Sequence, residues 1–240
     1  MIFVTDVDEQ ERLFEDVDYY IGEYHETIPV KVVFNQNSVS VYLDGNEDIT
    51  NHVPHISFLD GCQVSILPSL KGTVLWGNMH IPRVPINRMR EMVQGDGYAC
   101  VIKQEHIGKF YIRADDIEQF KDIKIVNMPF HRRKTYLRRV LDQLQSPYIV
   151  EYQFFDTDEI PLTEEMCQRI EAYSGNLLNN YPSLYDDFDW TYVAEDREVV
   201  LTSQGYYEYL CMCGNRQGVR LKNKNEKFGG EIFVVVTPAF

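Results

Sequence analysis

The chain has 240 residues and a formal net charge of −14, since 23 Lys and Arg are outnumbered by 37 Asp and Glu. Its hydrophobic fraction of 44% is ordinary for a folded protein and excludes disorder along the whole chain. No apolar run approaches the ~20 residues that span a bilayer, and the first residues lack the pattern of a signal peptide. We therefore expect a cytoplasmic protein, or a virion component, with no membrane contact and one or two domains.

The composition favours strands over helices. The chain contains 16 Tyr and 13 Phe, residues that suit pleated and half-buried surfaces. We predict a β-rich α+β fold: a small antiparallel barrel or sandwich, followed by a two-helix region with an antiparallel sheet. The predicted segments are an acidic N-terminal strand and helix at 1–26, a β-rich domain at 27–127, and an α+β domain with an antiparallel meander at 128–240.

The predicted elements begin with a short strand at 2–5 and a helix whose N-cap is Asp8, with apolar residues at helical spacing as far as Tyr24. The period then changes to two, which predicts a hairpin from strands 28–34 and 38–44. Residues 115–120 predict a short helix. Other short apolar runs predict strands at 53–59, 63–68, 72–77, 98–104, 108–113 and 123–127.

The segment 131–145 predicts a helix that carries the densest positive charge in the chain. Its basic residues are expected on an exposed face that contacts a protein partner, within a homo- or hetero-oligomer. Nucleic acid is possible there but disfavoured, because the net charge repels polyanions. A smaller basic cluster at 216–227 either extends this face or protects a strand edge. The predicted interface residues of the helix are Arg132, Arg133, Lys134, Arg138 and Arg139.

A second candidate interface combines acidic and aromatic residues shortly before Trp190. Acids among aromatics can dock on a basic partner or imitate a phosphate backbone, and they also occur in solvated loops anchored by rings. The residues of this stretch are Tyr181, Tyr185, Asp186, Asp187, Phe188 and Asp189.

The N-terminal strand ends in Asp6-Val7-Asp8, which resembles the first motif of haloacid-dehalogenase-like phosphatases. The resemblance implies that Asp6 is a nucleophile and Asp8 an acid/base, with Mg²⁺ on the carboxylates. Asp186 and Asp187 would then supply metal-binding acids. That family has a parallel sheet, whereas this chain predicts antiparallel meanders, and Asp8 as a helix cap explains the motif without chemistry.

Two other residue pairs could bind metal. His52 and His55 have a spacing of three, and Cys211 and Cys213 would point to the same face of a strand. A further pair of ligands is not visible near either one, so we predict buried structural residues, no metal and no cofactor. The odd count of five cysteines predicts no disulfide.

The sequence contains no phosphate-binding glycine loop and no zinc-hydrolase or serine-hydrolase motif. Together with the abundant Tyr and the segregated charge, this predicts a non-catalytic binding or assembly protein, such as a phage virion connector, tail or baseplate component. One alternative is an acidic inhibitor that mimics nucleic acid or blocks a basic site. The other is a metal-dependent hydrolase that uses Asp6, Asp8, Asp186 and Asp187.

Overall fold

The computed structural model describes residues 1–44, 46–62, 64–156, 160–161, 190–192, 199–201, 206–207 and 218–236. The chain divides into two compact units. Unit 1 contains Met1–His25, Gln153–Lys224 and Glu231–Phe240, and unit 2 contains Glu26–Tyr152 and Asn225–Gly230. The predicted α+β class is confirmed. Each unit combines segments that are distant in sequence, whereas the predicted domains are contiguous.

Unit 1 is built on a five-stranded sheet, in which the first and last strands of the chain pair in parallel and the other pairs are antiparallel. In spatial order the strands are β1 (Ile2–Val4), β15 (Ile232–Val235), β14 (Val219–Asn223), β2 (Tyr19–Glu23) and β10 (Phe155–Asp156). A second sheet, also antiparallel, contains β11 (Ile160–Pro161), β13 (Val199–Leu201) and β12 (Trp190–Tyr192).

The N-terminal helix α1 spans Val7–Glu15 and is shorter than predicted. Its N-cap is Asp6, whose carboxylate accepts a hydrogen bond from the Glu9 amide at 3.0 Å, so the prediction that Asp8 is the cap is wrong. After the helix, the Asp18 amide donates to the Asp16 carboxylate at 2.9 Å. This local bond competes with helix continuation, and the chain enters β2 instead.

Unit 2 is built on a larger, mostly antiparallel sheet. Its strands follow the order β5 (Glu47–Asp48), β4 (Val39–Leu43), β3 (Ile28–Phe34), β6 (Val74–His80), β7 (Tyr111–Phe120) and β8 (Ile123–Lys124), while β9 (Ile149–Glu151) pairs parallel with β7. Its helices are α2 (Pro54–Ser57), α3 (Leu67–Leu70), α4 (Ile86–Gln94), α5 (Gly97–Ile107) and α6 (Phe130–Leu144). No helix in the described part of the chain is long and apolar enough to cross a membrane.

Three predicted strands of unit 2 are helical. The run 53–59 contains α2, the run 63–68 contains a 3₁₀ turn and the start of α3, and the run 98–104 lies inside α5. The prediction is wrong because short apolar runs fit a buried helix as well as a strand. Signals for the start of a helix distinguish the two possibilities. Pro lies in the first turn of α2 and α3, and Asp96 caps α5 by accepting from the Ala99 amide at 3.1 Å.

The helix predicted at 115–120 is part of β7. This strand shifts register against β6 near Gly77, so its side chains do not alternate strictly and the pattern resembles a helix. The helix predicted at 131–145 is confirmed as α6. Leu137, Val140 and Leu144 bury its apolar face in the core cluster that also contains the inward residues of β3, β6 and β7.

At Gly77 the strands β6 and β7 approach each other closely. A Cβ atom on this residue would overlap the Arg113 carbonyl oxygen and lie 2.8 Å from the Ala114 Cα. We expect Gly77→Ala to lower the free energy of unfolding by ~1–3 kcal/mol, as overpacking does. The control is Gly95→Ala, whose Cβ would meet its nearest atom at 3.5 Å. Equal urea midpoints for the two variants would contradict this account of the strand contact.

Candidate functional site

Strand β14 of unit 1 has two chemically different faces. Val219 and Leu221 belong to the apolar core of unit 1, together with Val4, Leu13 and Ile21. Because side chains alternate along a strand, Arg220 and Lys222 lie on the opposite face. They are 7% and 4% exposed. The strand therefore carries two cations side by side, both withdrawn from bulk solvent.

The neighbouring strands leave space for the longer of these side chains. Arg220 lies opposite Gly22 of β2, which has no side chain on that face. The guanidinium carbon of Arg220 is 5.6 Å from the ring centroid of buried Phe154, a cation–π distance. Lys222 lies opposite Tyr20. A rigid strand and an aromatic neighbour thus fix the position of the arginine head group.

A third cation continues the same row just after β14. The Lys224 ammonium is 2.5 Å from an Asp156 carboxylate oxygen and donates to the Val17 carbonyl at 2.6 Å. It also lies 5.2 Å from the ring centroid of Tyr20. Lys224 therefore closes this end of the sheet by joining β14 to the segments that contain Val17 and Asp156.

In unit 2, polar side chains form a hydrogen-bonded chain on the sheet face away from the core. The Thr27 hydroxyl donates to the Asn78 amide oxygen at 3.0 Å, and the Asn78 amide nitrogen donates to Asp115 at 2.7 Å. Asp115 is 7% exposed. The three side chains are thereby oriented across β6 and β7, which is the kind of fixed polar arrangement that binding sites use.

The indole ring of Trp76 lies beside these hydrogen-bonded side chains. The Trp76 indole nitrogen donates to the Glu118 carboxylate at 2.9 Å, which holds the ring in place. The Lys31 ammonium lies 5.2 Å from the ring centroid of Tyr42 and 5.9 Å from that of Trp76. The outer face of the unit 2 sheet thus combines rings, a cation and oriented polar groups, in contrast with its apolar inner face.

The basic helix α6 is only partly the exposed patch that the sequence predicts. Arg133 is fully buried, and its guanidinium binds Asp116 through two hydrogen bonds of 2.8 and 2.9 Å. It also donates to the carbonyl oxygens of Met128 and Glu226, the latter at 2.9 Å. Lys134 is 5% exposed. The expectation that Arg133 and Lys134 contact a partner is therefore corrected, because both side chains point into unit 2.

The other three arginines of the patch are exposed. Arg138 forms an ion pair with Glu151 at 2.9 Å, and the guanidinium of Arg139 lies 5.6 Å from the ring centroid of Tyr136. Such surface pairs contribute little to stability. Arg132, Arg138 and Arg139 remain the part of the predicted interface that a partner can reach.

The remaining predicted site residues that the structure describes bind other groups or cap a helix. The Nε2 atoms of His52 and His55 lie 2.9 Å from two separate carbonyl oxygens, those of Gly95 and Phe110. Asp6 is a helix cap. Among the described residues, no group of three or more His, Cys, Asp or Glu side chains could hold a metal ion. The acidic-aromatic stretch from Tyr181 to Asp189, and Cys211 and Cys213, lie outside the described residues.

The comparisons with known proteins identify the architecture. No family model matches the chain, and no curated protein matches it. Among solved structures, it is similar to mycobacterial DNA ligase D complexed with ATP, with a TM-score of 0.53 and 9% identity over 91% of this chain and 54% of that one. It is also similar to the ligase domain of M. tuberculosis LigD, with a TM-score of 0.54 and 9% identity over 90% of this chain and 54% of that one.

This chain has the fold of those ligase domains. It spans about half the length of each. The prediction of a non-catalytic assembly protein of a phage particle is therefore wrong, as are its two alternatives, the acidic inhibitor and the metal-dependent hydrolase. The abundance of Tyr and Phe and the absence of short motifs are compatible with many β-rich folds, and they did not discriminate among them.

The cations of β14 could have been found from the sequence. The segment 219–222 alternates Val, Arg, Leu and Lys, which on a strand separates two apolar from two basic side chains. The basic cluster at 216–227 was expected either to extend the positive face of the helix or to protect a strand edge. β14 lies between β15 and β2 in the interior of the sheet, where edge protection is not needed.

The buried ion pair of unit 2 leads to a stability prediction. We expect Arg133→Met to lower the free energy of unfolding by ~3–5 kcal/mol, because it leaves the Asp116 carboxylate buried without its counter-charge. The control Arg132→Met changes an exposed neighbour and should have an effect within about 0.5 kcal/mol. Adding Asp116→Leu to Arg133→Met should recover part of the loss. Urea unfolding of the three variants measures this, and similar midpoints for Arg133→Met and Arg132→Met would refute it.

Proposed function

We propose that this protein binds a nucleoside triphosphate such as ATP, and that Arg220 and Lys222 bind its phosphates. The proposal rests on one observation above all: two cations lie side by side on the non-core face of an interior strand. The fold supports it, since one of the similar ligase structures is a complex with ATP. The likeness in fold does not itself specify residues, so the assignment comes from the chemistry of the strand.

The chemistry of β14 suits a polyphosphate. A guanidinium offers paired donors to phosphate oxygens, and an ammonium beside it adds a compact charge. Burial strengthens both interactions, because the effective dielectric constant is lower than in water. Phe154 restricts the guanidinium, which lowers the entropy lost when a ligand binds.

Nucleotidyl transfer is the reaction class that the fold favours for a bound triphosphate. In such a reaction a nucleophile attacks the α-phosphorus, the bond from that phosphorus to the bridging oxygen breaks, and pyrophosphate leaves with the electron pair. Cations on the phosphates stabilise the negative charge that moves onto the leaving group. The exposed arginines Arg132, Arg138 and Arg139 remain a proposed contact surface for a protein partner.

The test is a calorimetric titration of the full chain with ATP. The wild type should bind, and Lys222→Met should bind ~10–100-fold more weakly, because a charged hydrogen bond contributes ~1.5–3 kcal/mol. Arg220→Met should show a loss of the same order. The matched control is Lys227→Met, which removes an exposed lysine of the 225–230 segment and should bind like the wild type.

Two results would overturn the binding proposal: a wild-type chain that does not bind ATP, or a folded Lys222→Met variant with wild-type affinity. Transfer is tested separately with ATP radiolabelled at its α-phosphate. A transferase retains the label on the protein or passes it to an acceptor while releasing pyrophosphate. A chain that binds ATP but releases no pyrophosphate with any nucleic-acid end supplied is a nucleotide-binding protein without transfer.

A further inference from the structure

Three aromatic rings lie side by side at one end of the unit 2 sheet. His80 of β6 is the register partner of Tyr111 in β7, and their ring centroids are 6.2 Å apart. On the other side of Tyr111, the ring of Tyr148 is at 5.5 Å. Tyr148 directly precedes β9, and its carbonyl accepts from the Ile112 amide at 2.8 Å. The rings of His80, Tyr111 and Tyr148, here called the aromatic row, thus cross three adjacent strands.

Two rings of the aromatic row, those of His80 and Tyr111, lie on the face of the sheet away from the core. The row's backbone neighbours Met79, Ile112 and Ile149 are buried in the apolar cluster of unit 2. Because side chains alternate, the rings of His80 and Tyr111 point the other way, whereas Tyr148, which precedes β9, also packs against that cluster. Each ring is partly exposed. Partly exposed rings on the outer face of a sheet offer surface on which a planar ligand can stack.

The row is supported from the side by a buried histidine. The ring of His55 meets Tyr148 edge-on at 4.7 Å, and its Nε2 atom lies 2.9 Å from the Phe110 carbonyl oxygen. Burial lowers the pKa of His55 from its ordinary value of 6.5, which favours the neutral imidazole. Tyr148 is therefore held by a packed neutral group, and the row is rigid at this end.

Cations flank the rings. The Lys109 ammonium lies 5.1 Å from the ring centroid of Tyr148 and 3.7 Å from Asp60, with 45% of its side chain exposed. Arg113 lies two residues beyond Tyr111, on the same face of β7 and partly exposed. The row therefore combines ring faces for bases with charges for phosphates.

We propose that the aromatic row is a binding site for single-stranded nucleic acid. Bases stack on Tyr111 and His80, while Lys109 and Arg113 bind the backbone phosphates. Sheet-borne aromatic side chains with flanking cations recognise unpaired bases in this way, because every base has a face that stacks and a duplex hides those faces. The site goes beyond the proposed nucleotide site, since it lies in unit 2 and takes a different ligand.

The experiment measures fluorescence anisotropy of a labelled oligothymidylate of about ten nucleotides, a length that such surfaces cover. The wild type should bind this single strand more tightly than a duplex of equal length. Tyr111→Leu should bind ~5–100-fold more weakly, because stacking on one ring contributes ~1–3 kcal/mol. Tyr111→Phe keeps the ring and should bind like the wild type. Tyr98→Ala is the control, since Tyr98 is 75% exposed on α5.

The cations are tested through salt dependence. Lys109→Ala should reduce the slope of log affinity against log salt by ~0.7, as expected for one phosphate contact on a single strand, and Lys103→Ala on α5 should not. Urea midpoints establish that the variants are folded. The proposal is overturned if the wild type does not bind the single strand, if it prefers the duplex, or if folded Tyr111→Leu binds as tightly as the wild type.

Discussion

The bidentate ion pair between Arg133 and Asp116 is the interaction on which unit 2 most depends. It joins the first turns of α6 to the middle of β7, and the same guanidinium binds the carbonyls of Met128 and Glu226. One side chain thus satisfies backbone groups from segments almost a hundred residues apart. A buried charge is tolerated only when its hydrogen-bonding capacity is met, and here nearly every donor of the arginine has an acceptor.

The ion pair also explains why residues 225–230 belong to unit 2. Glu226 accepts from Arg133, the Phe228 amide donates to the Val126 carbonyl at 3.0 Å, and the Phe228 ring lies 6.0 Å from Trp76. These contacts hold the segment 225–230, which connects β14 with β15 along the chain, in unit 2.

Alternation along strands accounts for both the predictable and the unpredictable parts of the structure. It correctly predicted the hairpin of β3 and β4, because both segments alternate clearly and a short turn separates them. It failed at 98–104, where an apolar run has no clear period, and the Asp96 cap was the more reliable guide. It failed again in β7, where the register shift near Gly77 removes strict alternation.

The sites were harder to predict than the elements, because each combines residues from several strands. Asn78, Asp115 and Thr27 are distant in sequence and become one hydrogen-bonded chain only through the pairing of β6 with β7 and β3. Arg133 illustrates the opposite error: its place in a basic run suggested surface, although it lies on the same side of α6 as Leu137 and Val140. Charge density alone does not indicate which side of a helix is exposed.

The most direct measurement of the central claim is a crystal structure of the full chain with a non-hydrolysable ATP analogue. The account predicts that phosphate oxygens lie within hydrogen-bond distance of both the Arg220 guanidinium and the Lys222 ammonium, on the face of β14 opposite Val219 and Leu221. An analogue bound with its phosphates away from both side chains would contradict the assignment of the phosphate site to this strand.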